Sequence, residues 1–298
     1  MSLGPYEFLD ERFRACVNRT AQLETLWTGA RWTEGPVYFP ASHSVLFSDI
    51  PNDRMLRFDE CDGHVSVFRH PCGYANGHTV DREGRLVSAE HGGRRVSRTE
   101  HDGRIITIAD RFEGKRLNSP NDVVVKSDGS IWFTDPPFGI LSDYEGHKAE
   151  IEQTRNHVFR VDRAGTMTSV AVDFVRPNGL AFSPDESLLY IADSHPSQRT
   201  MRVYDVADNG TIRNGRVFAT GTAGRFDGFR LDDEGRIWTS CDEGVHCYDP
   251  DGTLIGKIML PEILSNVVFG GPKRNRLYIT ATTSLYSVML TVNGAKTF

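Results

Sequence analysis

Apolar and polar residues alternate through this chain in short runs, and the runs come in sets. A polar residue opens each set, usually followed by a small or acidic one: EGPVYF from Glu34, NGHTVD from Asn76, NDVVVK from Asn121, NGLAFS from Asn178, DGFRLD from Asp227 and NVVFGG from Asn266. A turn-forming segment follows at 40–43, 82–84, 127–129, 184–186, 233–235 and 272–275. A second short run comes next: VLFSDI, RLVSAE, SIWFTD, LLYIAD, RIWTSC and RLYITA. A third lies further on: MLRFD, RVSRTE, HVFRVD, MRVYDV, GVHCYD and SLYSVM. Most sets then show an Asn-Gly or Asp-Gly type turn and a fourth run, as in DGHVSVF, DGRIITI, AGTMTSV, NGRVFAT and DGTLIGKI. Period-two runs of this length between such turns predict β-strands joined by hairpins.

The six sets begin 42, 45, 57, 49 and 39 residues apart. Four strands per unit at a period of roughly 40–50 residues predict an all-β, six-bladed β-propeller with four-stranded antiparallel blades. An unrelated β-sandwich is the alternative, since Asp-Gly turns occur in every β protein. Blades bury their faces only against neighbours, so residues 31–298 are expected to form one domain. The sixth set lacks a clear fourth strand after residue 291. The N-terminal segment, residues 1–30, has weak helical spacing in FLDERFRACV. A strand near 22–27 is expected to complete the last blade and close the ring, leaving no open edge.

Composition narrows the class. Of 298 residues, 39 % are hydrophobic and 25 % charged, the mix of a globular protein with a real core. The net charge of −6, without a basic stripe, argues against a nucleic-acid partner. No run of 18 apolar residues is present, so no membrane span is expected. MSLGPYEFLDERFRACV lacks a basic segment followed by an apolar one and does not read as a signal peptide. Cys16, Cys61, Cys72, Cys241 and Cys247 are odd in number, irregular in spacing and without a CxxC, which fits neither a disulfide framework nor a zinc site. A reducing cytoplasm is the expected location, with the periplasm as the alternative for a chain whose leader has been removed.

The first strand of each propeller blade lines the central channel. The residues opening the sets therefore gather at one mouth: Glu34, Asn76, Asn121, Asn178, Asp227 and Asn266. Two carboxylates and four amides are hard oxygen donors, suited to a Ca²⁺- or Mg²⁺-like ion. Two acids balance a divalent charge, and amide oxygens add coordination without adding charge. The competing reading of each single position is a turn former that bonds its own backbone. Six such positions in register favour a shared site.

TEGPVY, SPNDVVV followed by IWFTDPPFG, RPNGLAFSPD, and FDGFRLDDEG with RIWTS resemble the gluconolactonase/regucalcin (senescence marker protein) family of six-bladed propellers. The resemblance covers roughly residues 30–290, and FTDPPFG is similar to the bacterial gluconolactonase-like branch. It implies a lactone hydrolase with one divalent cation in the channel, Ca²⁺ first, with Mg²⁺, Mn²⁺ and Zn²⁺ kept as alternatives. Family metal ligands fall on Glu34, Asn178 and Asp227, with Asn121 beside the ion and in contact with substrate. Where regucalcin has a substrate-holding Arg, two residues before that Asn, this chain has Ser119. Arg116 is near but out of register.

An ion-bound lactone carbonyl becomes more electrophilic and ion-bound water more acidic. Asp227 is the candidate base. His78 is a second acid–base candidate, or a channel histidine with a structural hydrogen bond. Asn121, Asn76, Arg116 and Tyr144 are the candidate substrate contacts. Tyr144 lies with His147 and Arg155 in a long segment, ILSDYEGHKAEIEQTRN, that reads as a lid or a solvated loop. Asp135, at the end of a second strand, would hold a second ion or cap a turn. No GxSxG elbow appears, which argues against an acyl-serine route. The expected partner is a small-molecule lactone. The alternatives are a phosphotriesterase or paraoxonase-like hydrolase, since similar Glu/Asn/Asn/Asp arrangements polarise P=O, and a non-catalytic metal-binding propeller. No residue pattern selects one lactone, one ion or an oligomeric state.

Overall fold

Each of the six repeats folds as an antiparallel sheet whose strands follow chain order. The computed structural model describes residues 5–222 and 224–296. Blade 1 consists of Thr33–Phe39, Ser44–Asp49, Arg54–Asp59 and Val65–Arg69; blade 2 of Ala75–Val80, Leu86–Glu90, Arg95–Thr99 and Ile105–Ala109. Blade 3 is Val123–Val125, Ile131–Asp135, Asn156–Val161 and Met167–Phe174, and blade 4 is Pro177–Phe182, Leu188–Asp193, Thr200–Val206 and Ile212–Thr220. Blade 5 runs through Phe229–Leu231, Ile237–Cys241, Gly244–Tyr248 and Leu254–Met259, and blade 6 through Leu264–Gly270, Arg276–Ala281 and Ser284–Met289. The innermost strands touch in cyclic order, blade 1 to 2 and on to 6, and blade 6 touches blade 1 again. This is the six-bladed β-propeller that the repeats predict.

The ring is closed by chain ends from opposite extremes of the sequence. Glu24–Thr28 pairs antiparallel with Ser284–Met289, Glu24 opposite Ser287 and Thr28 opposite Ser284, as the outer strand of blade 6. Pairing removes the exposed edge that would otherwise template association. Blade 5 departs from the four-stranded expectation. Tyr6–Phe8 adds a fifth, outermost strand by pairing with Leu254–Met259. The weak helical spacing of the N-terminal segment becomes one short 3-10 helix, Glu11–Ala15, capped by the Asp10 carboxylate on the Arg12 N–H. Its Phe13 is fully buried on blade 5.

The core is divided among the blade interfaces. One cluster of buried side chains lies between each neighbouring pair, for example Trp132, Val158, Leu180 and Ile191 between blades 3 and 4, and Tyr38, Phe47, Tyr278 and Leu285 between blades 1 and 6. Each such side chain stabilises by about 1.5–3 kcal/mol only when the next blade is in place. Among the described residues, no helix is long and apolar enough to cross a membrane. The five cysteines are free.

Candidate functional site

A recurrent irregularity at the start of the inner strands aims the polar residues into the channel. In blade 1 the pairing passes from Glu34–Ser48 to Val37–Leu46, three residues against two. Ala75–Glu90 to His78–Ser88 and Pro177–Asp193 to Leu180–Ile191 repeat the same offset in blades 2 and 4, and blade 6 also carries one extra residue between Leu264 and Asn266. One extra residue is a β-bulge, which bends the strand and re-aims a side chain. The glycines beside these residues have a second cause. Gly35 has φ of +54°, and a Cβ there would fall well inside contact distance of the Asn76 carbonyl oxygen. A Cβ on Gly179 would meet the Asp227 carbonyl in the same way. Strand starts from neighbouring blades approach this closely only where a side chain is missing.

Glu34, Asn76, Asn121, Asn178 and Asp227 line a single cavity of about 310 Å³. Their side chains form a relay around the mouth. Asn76 Nδ2 donates to Asn121 Oδ1 at 2.6 Å, Asn121 Nδ2 to Asn178 Oδ1 at 2.6 Å, and Asn178 Nδ2 to Ser194 Oγ at 2.8 Å. The Ser194 hydroxyl in turn donates to the Phe226 carbonyl at 2.7 Å. Asn266 stands behind the mouth and donates to Glu34 Oε2 at 3.2 Å, an oxygen that also accepts the Gly35 N–H at 2.7 Å.

Two carboxylates facing one buried cavity are costly to ionise together. Burial first, and then the charge of Asp227, holds Glu34 well above the usual carboxylate range. Burial pushes Asp227 up to about 7, with Arg225 opposing and Glu145 reinforcing the shift. Asp227 Oδ1 is buried without a hydrogen-bond partner among the described residues. An orphaned carboxylate oxygen beside a second acid and several amide oxygens is what a hard cation would satisfy. The donor set fits such an ion. Among the described residues no group of three or more His, Cys, Asp or Glu side chains comes together as a metal centre, so a cation here would depend on the amide oxygens as well as the two carboxylates.

The other expected residues divide. Tyr144 reaches the cavity from the segment between the second and third strands of blade 3. His147 packs edge-on against Tyr74 instead, with ring centroids 5.0 Å apart. Arg155 does not line the cavity; its carbonyl meets the Asn118 side chain.

Arg116 does not join the site. It belongs to a two-stranded ribbon, Arg111–Phe112 with Lys115–Arg116, between blades 2 and 3. Its N–H donates to Glu152 and its guanidinium reaches the Gly93 carbonyl.

His78 is drawn away as well. It is fully buried, its ring nitrogens lie 2.8 and 2.9 Å from the Ser48 and Ser88 hydroxyls, and it borders a second cavity walled by Val37, Val80 and Val125 further along the inner strands. Burial, with help from the Arg69 charge, lowers it to about 3, so it is neutral at working pH. The contacts are those of a structural channel histidine.

Asp135 ties the chain. Its Oδ2 accepts the Asn118 N–H at 2.8 Å, as Asp193 accepts from Val175 and Arg176, and Asp49 from Arg31. In three blades the acid ending the second strand holds the segment that leads into the first.

Four residues here carry no strong sequence signal. Ser194 ends the amide relay. His91 is fully buried, with Nε2 3.1 Å from Asn76 Nδ2 and Nδ1 3.1 Å from the Glu145 carbonyl. Burial lowers it to about 4, so the neutral ring donates through Nδ1 and accepts through Nε2. Glu145 and Arg225 line the cavity. Glu145 adjoins Tyr144, which the sequence does single out.

Comparison with known proteins agrees with this architecture. The family described as SMP-30/Gluconolactonase/LRE-like region matches residues 32–283. The chain is 32% identical over 311 residues to a gluconolactonase of Zymomonas mobilis subsp. mobilis, covering 96% of this chain and 86% of that one. It is 31% identical over 268 residues to a pentonolactonase of Haloferax volcanii, covering 85% and 82%. A solved gluconolactonase of Xanthomonas campestris superimposes with a TM-score of 0.91 at 37% identity, over 96% of this chain and 94% of that one.

Proposed function

Because the chain belongs to the SMP-30/Gluconolactonase/LRE-like family, we propose that it hydrolyses a sugar lactone at the channel mouth with one divalent cation. One observation carries the metal dependence: the buried Asp227 Oδ1 has no hydrogen-bond partner among the described residues and shares its cavity with Glu34 and the amides of Asn121 and Asn178. Glu34, Asn121, Asn178 and Asp227 would hold the cation. Oxygen-only donors favour Ca²⁺, with Mg²⁺ and Mn²⁺ next and Zn²⁺ last. When bound, a divalent cation supplies Lewis acidity toward a lactone carbonyl and toward water.

The chain's own groups do the rest. Asp227 takes a proton from the attacking water as its oxygen adds to the carbonyl carbon. The ring C–O bond then breaks, and the same proton goes to the departing ring oxygen, leaving a hydroxy acid. Asn121 and Asn76 orient the substrate, and the relay through Asn178 to Ser194 keeps the amides from turning. Tyr144 covers one wall and limits bulk water. His78 and Arg116 take no part.

The test follows acid release from D-glucono-1,5-lactone by enzyme that is untreated, chelated, or chelated and resupplied with Ca²⁺, Mg²⁺, Mn²⁺ or Zn²⁺. Chelation is expected to abolish turnover and an added ion to restore it. Asp227→Asn is expected to lower kcat by about 100-fold or more. Full activity after exhaustive chelation would remove the cation from this reading; an inert wild-type enzyme, with ion present and a panel of lactones, would remove the lactonase.

A further inference from the structure

The segment over the cavity carries a carboxylate that the hydrolytic chemistry does not use. Glu145 lines the cavity wall with Asp227, is half-buried, and none of the described residues donates a hydrogen bond or ion pair to its side chain. Burial holds its carboxyl above the ordinary range. A carboxylate at a cavity wall without a protein partner gives up water when a ligand covers it, which is unfavourable unless the ligand supplies the donor.

The backbone around it is fastened. The Glu145 carbonyl accepts from His91 Nδ1 at 3.1 Å, and the Ala149 N–H closes the base of the segment on the Ile140 carbonyl at 3.1 Å. Gly146 lies so close to the Gly139 carbonyl that a Cβ has no room. The loop is held by main-chain atoms, while the Glu145 side chain is left for something else.

We propose that Glu145 is a specificity-determining residue that accepts hydrogen bonds from the hydroxyl groups of a polyhydroxylated lactone. The charge count argues for hydroxyls over a further ion, since Glu34 and Asp227 already balance one divalent cation. The rest of the wall matches a sugar. Trp32 and Phe138 offer apolar faces for ring C–H groups, and Arg225, 3.7 Å from Asp242, offers donors on the same cavity. Hydroxyls donate and accept, so they satisfy a carboxylate and a guanidinium together. A bound lactone covers Glu145, and one without hydroxyls leaves it covered and unpaired, so a site built this way discriminates strongly.

This inference rests on the lactonase reading. The experiment compares kcat and KM for D-glucono-1,5-lactone and δ-valerolactone in wild type, Glu145→Ala and Glu145→Gln, with melting temperatures alongside. Glu145→Ala is expected to lower the ratio of kcat/KM for the sugar lactone over the plain one by about tenfold or more, mainly through KM. Glu145→Gln should recover part of the ratio, because its amide oxygen still accepts. An unchanged ratio, whether both substrates keep their rates or lose them equally, overturns the subsite and leaves the lactonase standing. A wild-type enzyme that opens neither lactone overturns both.

Discussion

Asn121 donates its side-chain amide to the side-chain oxygen of Asn178 at 2.6 Å, across the boundary between blades 3 and 4. The two residues are 57 apart in sequence. The bond fixes the orientation of both amides, each oxygen keeping one lone pair beyond the relay, and so connects the geometry of the site to the docking of one blade on the next.

Asn178→Ala breaks this relay at its centre. Asn121 loses its acceptor and Ser194 its donor, at a cost of about 1–3 kcal/mol for a buried unpaired group. Urea denaturation should show that loss, and calorimetric titration with Ca²⁺ should show a weaker affinity than in wild type.

Gly35→Ala places a Cβ against the Asn76 carbonyl in a left-handed conformation. The conformation alone costs about 1 kcal/mol and the clash adds to it. A melting temperature lower by roughly 5 °C or more is expected in a thermal melt. Activity should fall with it, because Glu34 and Asn76 move apart.

Acid stability should respond to His78→Gln. The folded-state value of His78 is lowered to about 3 from its ordinary 6.5, so the unfolded chain binds a proton that the folded chain refuses. Its contribution is complete above pH 6.5 and is lost as pH falls toward 3. At pH 4.5, two pH units below the ordinary value, the loss from this one proton is about 3 kcal/mol. Glutamine retains hydrogen bonding to Ser48 and Ser88 without titrating. Chemical denaturation should show the variant gaining on wild type by about that amount between pH 7.5 and 4.5.

Asp135→Asn should act in the opposite sense. Burial raises Asp135 to about 7 from its ordinary 3.8, so the folded chain keeps a proton that the unfolded chain gives up above pH 4. Stability from this group declines as pH rises from about 4 to about 7. The asparagine variant should therefore gain on wild type over that window, measured by the same denaturation series.

Removing residues 1–28 deletes the strand that closes blade 6. The edge of Ser284–Met289 is then open, with Trp27 lost from its packing against Phe47. A broadened, less cooperative melt and higher-order species in size-exclusion chromatography are expected.

Much of the fold was legible in the alternation of apolar and polar residues. Period-two runs and hairpin turns are local properties, and six aligned repeats of them leave few architectures that bury every face. The closing strand was readable near 22–27 for the same reason: a sixth blade with three strands needs a fourth, and the structure has it at Glu24–Thr28. The added strand Tyr6–Phe8 was not readable, since three residues carry no period.

At the site, the sequence by itself determined which polar residues open the inner strands, because their spacing repeats with the blades. It named Glu34, Asn76, Asn121, Asn178 and Asp227 without any contact among them being visible. Only the tertiary structure decided which neighbours complete the cavity. His78 follows the same motif as these residues, yet the bulge after Ala75 carries it to Ser48 and Ser88. Arg116 is five residues from Asn121 but lies on a separate ribbon. His91, Glu145, Ser194 and Arg225 arrive from second-strand ends and connecting loops, where no repeat marks them. Strand pairing is encoded in short-range pattern, whereas the direction of a side chain at a bulge or in a loop depends on contacts with other blades that exist only once the ring has closed.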